Sequence, residues 1–287
     1  MKYVLFLLLC FPFPAHAGLV LIDTRDAPST SVATEKVKYW IHDGEQWTRA
    51  SRWETLTSLP TTIFIHGNRT DKSRSIQVGY EIYQQLKAIF KEDFHFVIWS
   101  WPSDIIPGPR KDAQLKAKYC DTQAYYLATY LQLTGDKTTL VGHSFGARII
   151  AGAIQLVAGG EIAGRQLPIQ DQRARNLVLL AAAIDDQSFN PGHMYDLVSE
   201  NANLVVTCNR YDPVLKLYPK MFQPPGPPAM GLYGPRGQSG YLFDLKKVIG
   251  RSHALASYLR VPTLLQLFHG NWNRNTISSI LEEISDE

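Results

Sequence analysis

A serine stands at the centre of the pentapeptide Gly142-His143-Ser144-Phe145-Gly146, the segment whose residue types most clearly suggest chemistry. An apolar, β-branched run precedes it and an apolar run with helical spacing follows, so we expect the chain to turn sharply here from a strand into a helix. Glycines on both sides would let the backbone pass closely and hold the Ser144 hydroxyl outward, as a nucleophile. The amide of Phe145, at the start of the helix, could then stabilise an oxyanion.

Strand-like and helical segments alternate along the rest of the chain. β-rich stretches come first, at 18–23, 36–41 and 46–53, and later strands are predicted at 61–65, 94–101, 138–141, 176–184, 204–208 and 241–245. Helices are predicted at 73–90, 112–133, 147–157, 254–267 and 276–284, and the Pro- and Gly-rich segment 223–240 is predicted to be a loop. Such alternation is typical of a mostly parallel sheet with helices on both faces.

Length and composition favour one domain of this α/β class, residues 18–287. The chain has 287 residues, which one hydrophobic core can still serve, and 45% of them are hydrophobic, which excludes a disordered chain. Its formal net charge of +3 is small, and no run of basic residues interleaved with aromatics suggests a nucleic-acid partner. The histidines and cysteines do not cluster at ligand spacings, so neither a metal nor a cofactor is predicted.

From about Thr61 to Leu259 the chain resembles the α/β-hydrolase superfamily of serine hydrolases, most closely in the pentapeptide around Ser144. The resemblance implies the α/β-hydrolase fold. The connection at 159–175 looks ordinary and short, which leaves no room there for a large cap domain.

The resemblance also implies a second oxyanion donor. In that family it follows an earlier strand and is commonly introduced by a His-Gly pair. His66-Gly67-Asn68 fits this position, which implies the amide of Asn68 as the partner of Phe145 and a structural role for His66.

A serine hydroxyl is a poor nucleophile at neutral pH and needs a histidine as general base, oriented in turn by a carboxylate. Of the eight histidines, His253 matches the family's histidine after the last strand, in the chain order Ser, acid, His. His269 lies beyond the next predicted helix and is the alternative, with a surface or capping role as its structural interpretation.

The acid has two candidate positions. Asp212 follows the strand 204–208 and resembles the usual acid of the family, whereas Asp185 and Asp186 follow the preceding strand, where some lipases of the superfamily carry theirs. Non-catalytic alternatives are a surface ion pair of Asp212 with Arg210, and helix N-caps at Asp185 and Asp186. The resemblance favours Asp212.

These assignments imply a serine hydrolase that cleaves carboxylic esters through an acyl-enzyme intermediate. We expect a small-molecule or lipid ester as substrate, with amides and thioesters as alternatives, in an open site rimmed by the loops 101–110 and 223–240. No protein partner is predicted, and the apolar rim is compatible with peripheral membrane contact. Two other interpretations stay open: a non-catalytic binding protein on the same fold, and an acyltransferase.

Residues 1–17 have the layout of a secretory signal, with a basic residue, an apolar run at 3–14 and a small-x-small triplet at 15–17. Cleavage before Gly18 would export the protein to the periplasm or the medium. The run is shorter than the roughly 20 residues that a membrane-spanning helix needs, which disfavours the alternative of an uncleaved anchor.

Cys120 and Cys208 remain once the signal is removed. They are predicted to be two buried thiols that act as small hydrophobic residues, with a disulfide between them as the alternative in an oxidising compartment.

Overall fold

The computed structural model describes residues 18–269, apart from 172, 174, 223, 238 and 239, together with 272, 277 and 280. The predicted signal, residues 1–17, lies outside the described residues, as does most of the predicted helix 276–284. Within the described part of the chain, no helix combines the length and the apolar character needed to cross a membrane.

A single mixed sheet forms the centre of the protein. Its strands are Gly18–Asp23 (β1), Lys38–His42 (β2), Trp47–Ala50 (β3), Thr61–Ile65 (β4), His95–Ser100 (β5), Thr138–His143 (β6), Arg175–Leu180 (β7), Ala202–Cys208 (β8) and Tyr241–Asp244 (β9). They are ordered β3-β2-β1-β5-β4-β6-β7-β8-β9. Strand β1 and strands β4 to β9 pair in parallel. Only β2 and β3, at one side, form antiparallel pairs, so the mostly parallel sheet is as predicted.

Both faces of this sheet are buried, because apolar residues point alternately to its two sides. In β4, Ile63 and Ile65 join one core cluster and Phe64 joins the other. Because β1 and β4 to β9 are parallel, their C-terminal ends meet at one edge of the sheet, which we call the carboxyl edge. Their N-terminal ends meet at the opposite amino edge.

Three long helices cover the sheet: Lys72–Ile89 (α1), Pro109–Leu131 (α2) and Phe145–Val157 (α3). Short helices follow at Val198–Asn201 (α4), Tyr218–Met221 (α5), Met230–Tyr233 (α6), Lys246–Ile249 (α7), Leu255–Tyr258 (α8) and Pro262–Gln266 (α9), and 3-10 turns lie at Thr34–Lys36, Trp53–Thr55, Leu215–Leu217 and Leu267–His269. The helices α2 and α3 pack on one face, whereas α1 and α9 pack on the other.

Three predicted elements differ in detail. The strand predicted at 176–184 ends at Leu180, because Ala181 enters the left-handed backbone region with φ 47° and leaves the ladder. The segment 223–240, predicted as a loop throughout, contains the short helix α6. The helix predicted at 254–267 is split, because Pro262 lacks an amide donor and holds the preceding Val261 in an extended conformation.

Candidate active site

The predicted strand-to-helix turn carries Ser144 between β6 and α3. Ser144 has φ 54° and ψ −115°, a left-handed conformation that is costly for a residue other than glycine. Hydrogen bonds on both sides hold it there: its amide donates to the Leu180 carbonyl at 2.9 Å, and its own carbonyl accepts from the Ala147 amide at 3.1 Å. The end of the neighbouring strand β7 therefore helps to hold Ser144 in this conformation at the carboxyl edge.

The glycines around Ser144 are required by close backbone contacts. A Cβ atom added to Gly146 would lie 2.2 Å from the Ile65 carbonyl oxygen, and one added to Gly142 would lie 2.7 Å from the Ala147 amide nitrogen. Real Cβ atoms do not approach backbone atoms so closely, so only glycine allows the turn to pack against the end of β4.

The structure brings Ser144, His253 and Asp212 together in hydrogen-bonding sequence. The Nε2 atom of His253 lies 3.1 Å from Ser144 Oγ, and its Nδ1 atom lies 2.6 Å from Asp212 Oδ2. The carboxylate favours the tautomer with a proton on Nδ1, which leaves Nε2 free to accept the serine proton. The Asp212 side chain is fully buried, whereas the His253 side chain is 18% exposed, so the carboxylate is shielded and the imidazole can reach a substrate.

Backbone donors fix the second oxygen of Asp212. Its Oδ1 atom accepts from the Val214 amide at 2.8 Å and the Leu215 amide at 3.0 Å. These two bonds hold the carboxylate in place and aim Oδ2 at His253.

Asn209 connects the acid turn to the histidine loop, and the sequence analysis did not identify it. Its side-chain amide donates to the carbonyls of Gly250 at 2.8 Å and Ser252 at 3.2 Å, directly before His253. Its own backbone carbonyl accepts from the Asp212 amide at 3.0 Å. A polar residue directly after a buried strand was the available signal, but its partners lie more than forty residues downstream.

The alternative acids lie elsewhere. The buried Asp186 carboxylate accepts from Arg236 at 2.9 Å, and burial raises the pKa of Asp185. Neither side chain forms a hydrogen bond with His253 in the structure. Among the described residues, the Asp212 carboxylate pairs with the imidazole and not with Arg210.

The alternative histidine, His269, lies at the amino edge. Its ring packs 4.4 Å from that of Phe90, centroid to centroid, and burial lowers its pKa. The carbonyl of the preceding Phe268 accepts a hydrogen bond from Thr62 at the N-terminal end of β4. The length of the sheet therefore separates His269 from Ser144.

Two further histidines are buried and neutral. Burial lowers the pKa of His66 to about 3 and that of His143 to about 3. His143 Nε2 lies 2.9 Å from the His253 carbonyl oxygen and donates to it, which holds the histidine loop against β6. His66 Nδ1 donates to the Gly67 carbonyl at 2.9 Å, and its Nε2 accepts from the Trp101 amide at 3.3 Å. His66 thus has structural contacts within the turn that carries Asn68.

A buried carboxylate on α2 holds the predicted oxyanion turn. Asp112 is fully buried, and its Oδ2 atom accepts from Asn68 Nδ2 at 3.0 Å and from Arg69 Nε at 3.0 Å. Arg69 is itself left-handed, with φ 61°. Neither the backbone N–H of Asn68 nor that of Phe145 donates to a described residue, so both remain available to an oxyanion.

A cleft of about 270 Å³ adjoins the turn that carries Asn68, and His143, the residue before Ser144, lines it. Gly67, Asn68 and His143 form its side towards Ser144. Its remaining walls come from the rest of the turn after β4, from α1 and from the segment after His253, and they combine apolar and polar side chains: His66, Arg69, Thr70, Arg74, Val78, Glu81, Ala254, Leu255, Ala256 and Leu259. This wall differs from the predicted rim loops 101–110 and 223–240, and it gives the site room for an apolar group of modest size.

The cysteines and the possible metal ligands take no part in this site. Cys120 and Cys208 are free and buried, and burial raises the pKa of both thiols, that of Cys208 to about 12. Within the described residues, no group of three or more His, Cys, Asp or Glu side chains is arranged to hold a metal ion.

Comparisons with known proteins identify a family. Residues 54–223 match the family described as "Alpha/beta hydrolase of unknown function (DUF900)". No curated protein matches the sequence significantly. Among solved structures the chain is similar to esterase B from Lactobacillus rhamnosis, inhibited by a C4-C4 sn3 tributyrin phosphonate, with a TM-score of 0.31 and 13% identity over 93% of this chain and 84% of that one. The family match covers more than half of the chain, which therefore belongs to this alpha/beta-hydrolase family, and the predicted superfamily and fold are confirmed.

Proposed function

We propose, starting from its membership in an alpha/beta-hydrolase family, that the protein is a serine hydrolase of carboxylic esters. One observation carries the proposal: the Ser144 hydroxyl, the His253 imidazole and the Asp212 carboxylate follow one another at 3.1 Å and 2.6 Å. A strained serine beside an imidazole oriented by a carboxylate is the arrangement that acyl transfer to a hydroxyl requires.

The reaction follows from these contacts. His253 Nε2 takes the hydroxyl proton while Ser144 Oγ attacks the ester carbonyl, and the Asp212 carboxylate stabilises the imidazolium that forms. The Asn68 and Phe145 amides donate to the oxyanion of the tetrahedral intermediate. His253 then returns the proton to the leaving alcohol, and a water molecule activated by the same imidazole releases the acyl group from Ser144.

The substrate class and the location of the protein complete the proposal. The cleft beside Ser144 has Val78, Leu255 and Leu259 among its walls, which supports an ester with an apolar acyl or alcohol group. We further propose that the protein acts outside the cytoplasm after cleavage of residues 1–17, on the basis of their signal-like sequence.

The test replaces the nucleophile. Ser144→Ala should lower the turnover of p-nitrophenyl butyrate by roughly 10⁴-fold or more, because only the oxyanion hole and substrate binding would remain. Ser188→Ala is the matched control, since Ser188 is as buried as Ser144, at 6% exposure each, and should keep the wild-type rate.

Covalent labelling completes the test. A fluorophosphonate probe should label the wild type and Ser188→Ala but not Ser144→Ala. A folded wild-type protein that neither hydrolyses the ester nor reacts with the probe would support a binding protein and refute the proposal. Ester exchange with an added alcohol, in place of hydrolysis, would identify an acyltransferase.

A further inference from the structure

Apolar side chains protrude from two segments at the carboxyl edge. Ile105 is 70% exposed in the segment that follows β5, and Leu217 is 54% exposed in the segment that follows β8. Tyr211 and Val214 are exposed beside Leu217. Single exposed apolar residues are ordinary on a protein surface, so their meaning depends on whether these segments lie together.

The two segments are joined by side-chain hydrogen bonds. The Arg110 guanidinium donates from Nη2 and Nε to the Lys220 carbonyl, at 2.8 Å and 3.2 Å. The Gln114 side chain donates to the Met221 carbonyl at 3.0 Å. The start of α2 is therefore fixed to α5, and residues 105–111 and 211–220 form one surface, which we call the 105/217 surface.

This surface carries cations without acidic partners. Arg110, Lys111, Lys216 and Lys220 are exposed, and none of them forms an ion pair with a described residue. The acid within the segment after β5, Asp104, is paired with Arg25 at 2.7 Å. The surface therefore has an uncompensated positive charge around its apolar tips.

We propose that the 105/217 surface docks on an anionic lipid layer and presents the site of Ser144 to it. Isoleucine and leucine tips can enter the boundary between headgroups and acyl chains, while the lysines and Arg110 meet anionic headgroups. A nucleic acid or a purely acidic segment would pair with the cations alone and would leave Ile105 in water. The combination of both features favours lipid.

The catalytic residues lie close behind this surface. The amide of Val214, an exposed member of it, donates to the Asp212 carboxylate at 2.8 Å. A docked molecule would thus hold the acid turn at the lipid boundary, and a water-insoluble ester could enter the site from the lipid. This inference deepens the proposed function and rests on it for that consequence, whereas the docking itself can be measured without hydrolysis.

The binding test uses the full chain and matched variants. Cosedimentation is measured with vesicles of phosphatidylcholine alone and with vesicles that contain about 30% phosphatidylglycerol. Ile105→Ser is compared with Ile169→Ser, because both isoleucines are 70% exposed and Ile169 lies at the amino edge. The variant Lys216→Gln with Lys220→Gln is compared with Lys91→Gln with Lys137→Gln, whose lysines precede strands at the amino edge.

The two test variants should each lower the partition onto anionic vesicles. We expect about fivefold for Ile105→Ser and about tenfold or more for the lysine pair, whereas both controls should bind like the wild type. Binding to anionic vesicles should also weaken as salt is raised, because screening reduces headgroup attraction. All variants share the apolar N-terminal run, so a difference between them reports on the 105/217 surface.

Two outcomes would overturn docking. Equal partition of all variants would show that another part of the chain binds the vesicles. Strong competition by soluble polyglutamate, together with wild-type partition of Ile105→Ser, would identify an acidic protein as the occupant.

Turnover of a soluble ester in the same samples separates the two proposals. Ser144→Ala that partitions normally but turns over no ester supports both. A wild type without esterase activity whose binding still depends on Ile105 would refute ester hydrolysis and leave docking intact.

Discussion

The two edges of the central sheet carry similar polar side chains and arrange them differently. At the amino edge, Arg175 is fully buried and donates to Asp171 at 2.7 Å and to the Leu131 carbonyl at 3.0 Å, while Arg173 pairs with Asp171 and Asp136. These four side chains form one ionic cluster. At the carboxyl edge the chain instead holds strained turn residues and two backbone amides, those of Asn68 and Phe145, that donate to no described residue.

The strained residues illustrate the difference most clearly. Among the described residues other than glycine, Ala163 has a positive φ of 49° in the connection between α3 and β7, and the other three with a positive φ lie at the carboxyl edge: Ser144, Arg69 and Ala181, at 54°, 61° and 47°. Each of these three lies in a segment whose position is fixed by long-range hydrogen bonds, as with Asp112 for Arg69. Most of this local strain thus lies around the Ser144 hydroxyl and the turn that carries Asn68, which is where reactive groups are expected.

The largest expected effect would test the chemistry of the carboxyl edge. Asp212→Asn should lower kcat/KM for p-nitrophenyl butyrate by roughly 10⁴-fold, because an amide no longer favours the required imidazole tautomer. The control Asp186→Asn, which loses its ion pair with Arg236, should change kcat/KM less than about threefold. Similar losses in the two variants would remove the distinction between the two acids.

Removing a buried charge at the amino edge should lower the stability of the fold and leave ester turnover unchanged. Arg175→Met should lower the free energy of unfolding by about 2 kcal/mol, because the Leu131 and Arg173 carbonyls lose their donor and the half-buried Asp171 keeps only Arg173 as its partner. Urea unfolding measures this change, and ester turnover per folded molecule should equal that of the wild type.

Arg210→Met is the control for this prediction. Arg210 is exposed at the carboxyl edge, so its loss should change the free energy of unfolding by less than about 0.5 kcal/mol. If Arg175→Met slowed turnover as well, the two edges would not be separable in the way described.

Acid should destabilise the two edges over different pH ranges. His66 and His143 have pKa values of about 3 in the fold, against 6.5 for an ordinary histidine. The unfolded chain binds these protons as pH falls below 6.5 and the folded chain does not, so stability at the carboxyl edge falls with pH in that range.

We expect the Asp171 carboxylate at the amino edge to lose its stabilising contribution at a lower pH than the histidines. Burial alone would raise the pKa of Asp171, but hydrogen bonds from Arg173 and Arg175 lower it to about 2. The contribution of Asp171 to the free energy of unfolding is fully present above its ordinary pKa of 3.8 and is lost as pH falls through about 2.

Urea unfolding at pH 6 and pH 5 measures the contribution of the two histidines. Each buried histidine should contribute a loss of about 1.4 kcal/mol per pH unit. His143→Asn should remove one such contribution from the slope, and an unchanged slope would show that His143 does not stay neutral in the fold.

The local part of the site could be predicted from sequence because local rules determine it. The glycines around Ser144 have one steric use between a buried strand and a helix, and His66-Gly67 ends the adjacent strand. The alternation of apolar segments likewise predicts the parallel sheet, which brings these two turns to the same edge.

The supporting residues could not be predicted in the same way. Asp112 reads as an ordinary first-turn acid of α2, and only the packing of that helix shows that it binds Asn68 and Arg69. Asn209 reads as a turn residue, and its bonds to Gly250 and Ser252 depend on how two distant loops meet. Long-range contacts of this kind leave no periodic trace in the chain.

The position of β1 determines where any preceding segment leaves the molecule. Gly18 pairs with His95 at the N-terminal end of both strands, so the chain enters the sheet at the amino edge. A six-residue strand is about 20 Å long, and Ser144 lies beyond its far end. A tether retained at this point would hold a bilayer near the amino edge, whereas the docking proposed above needs the carboxyl edge to face the lipid, so that docking requires the tether to be removed.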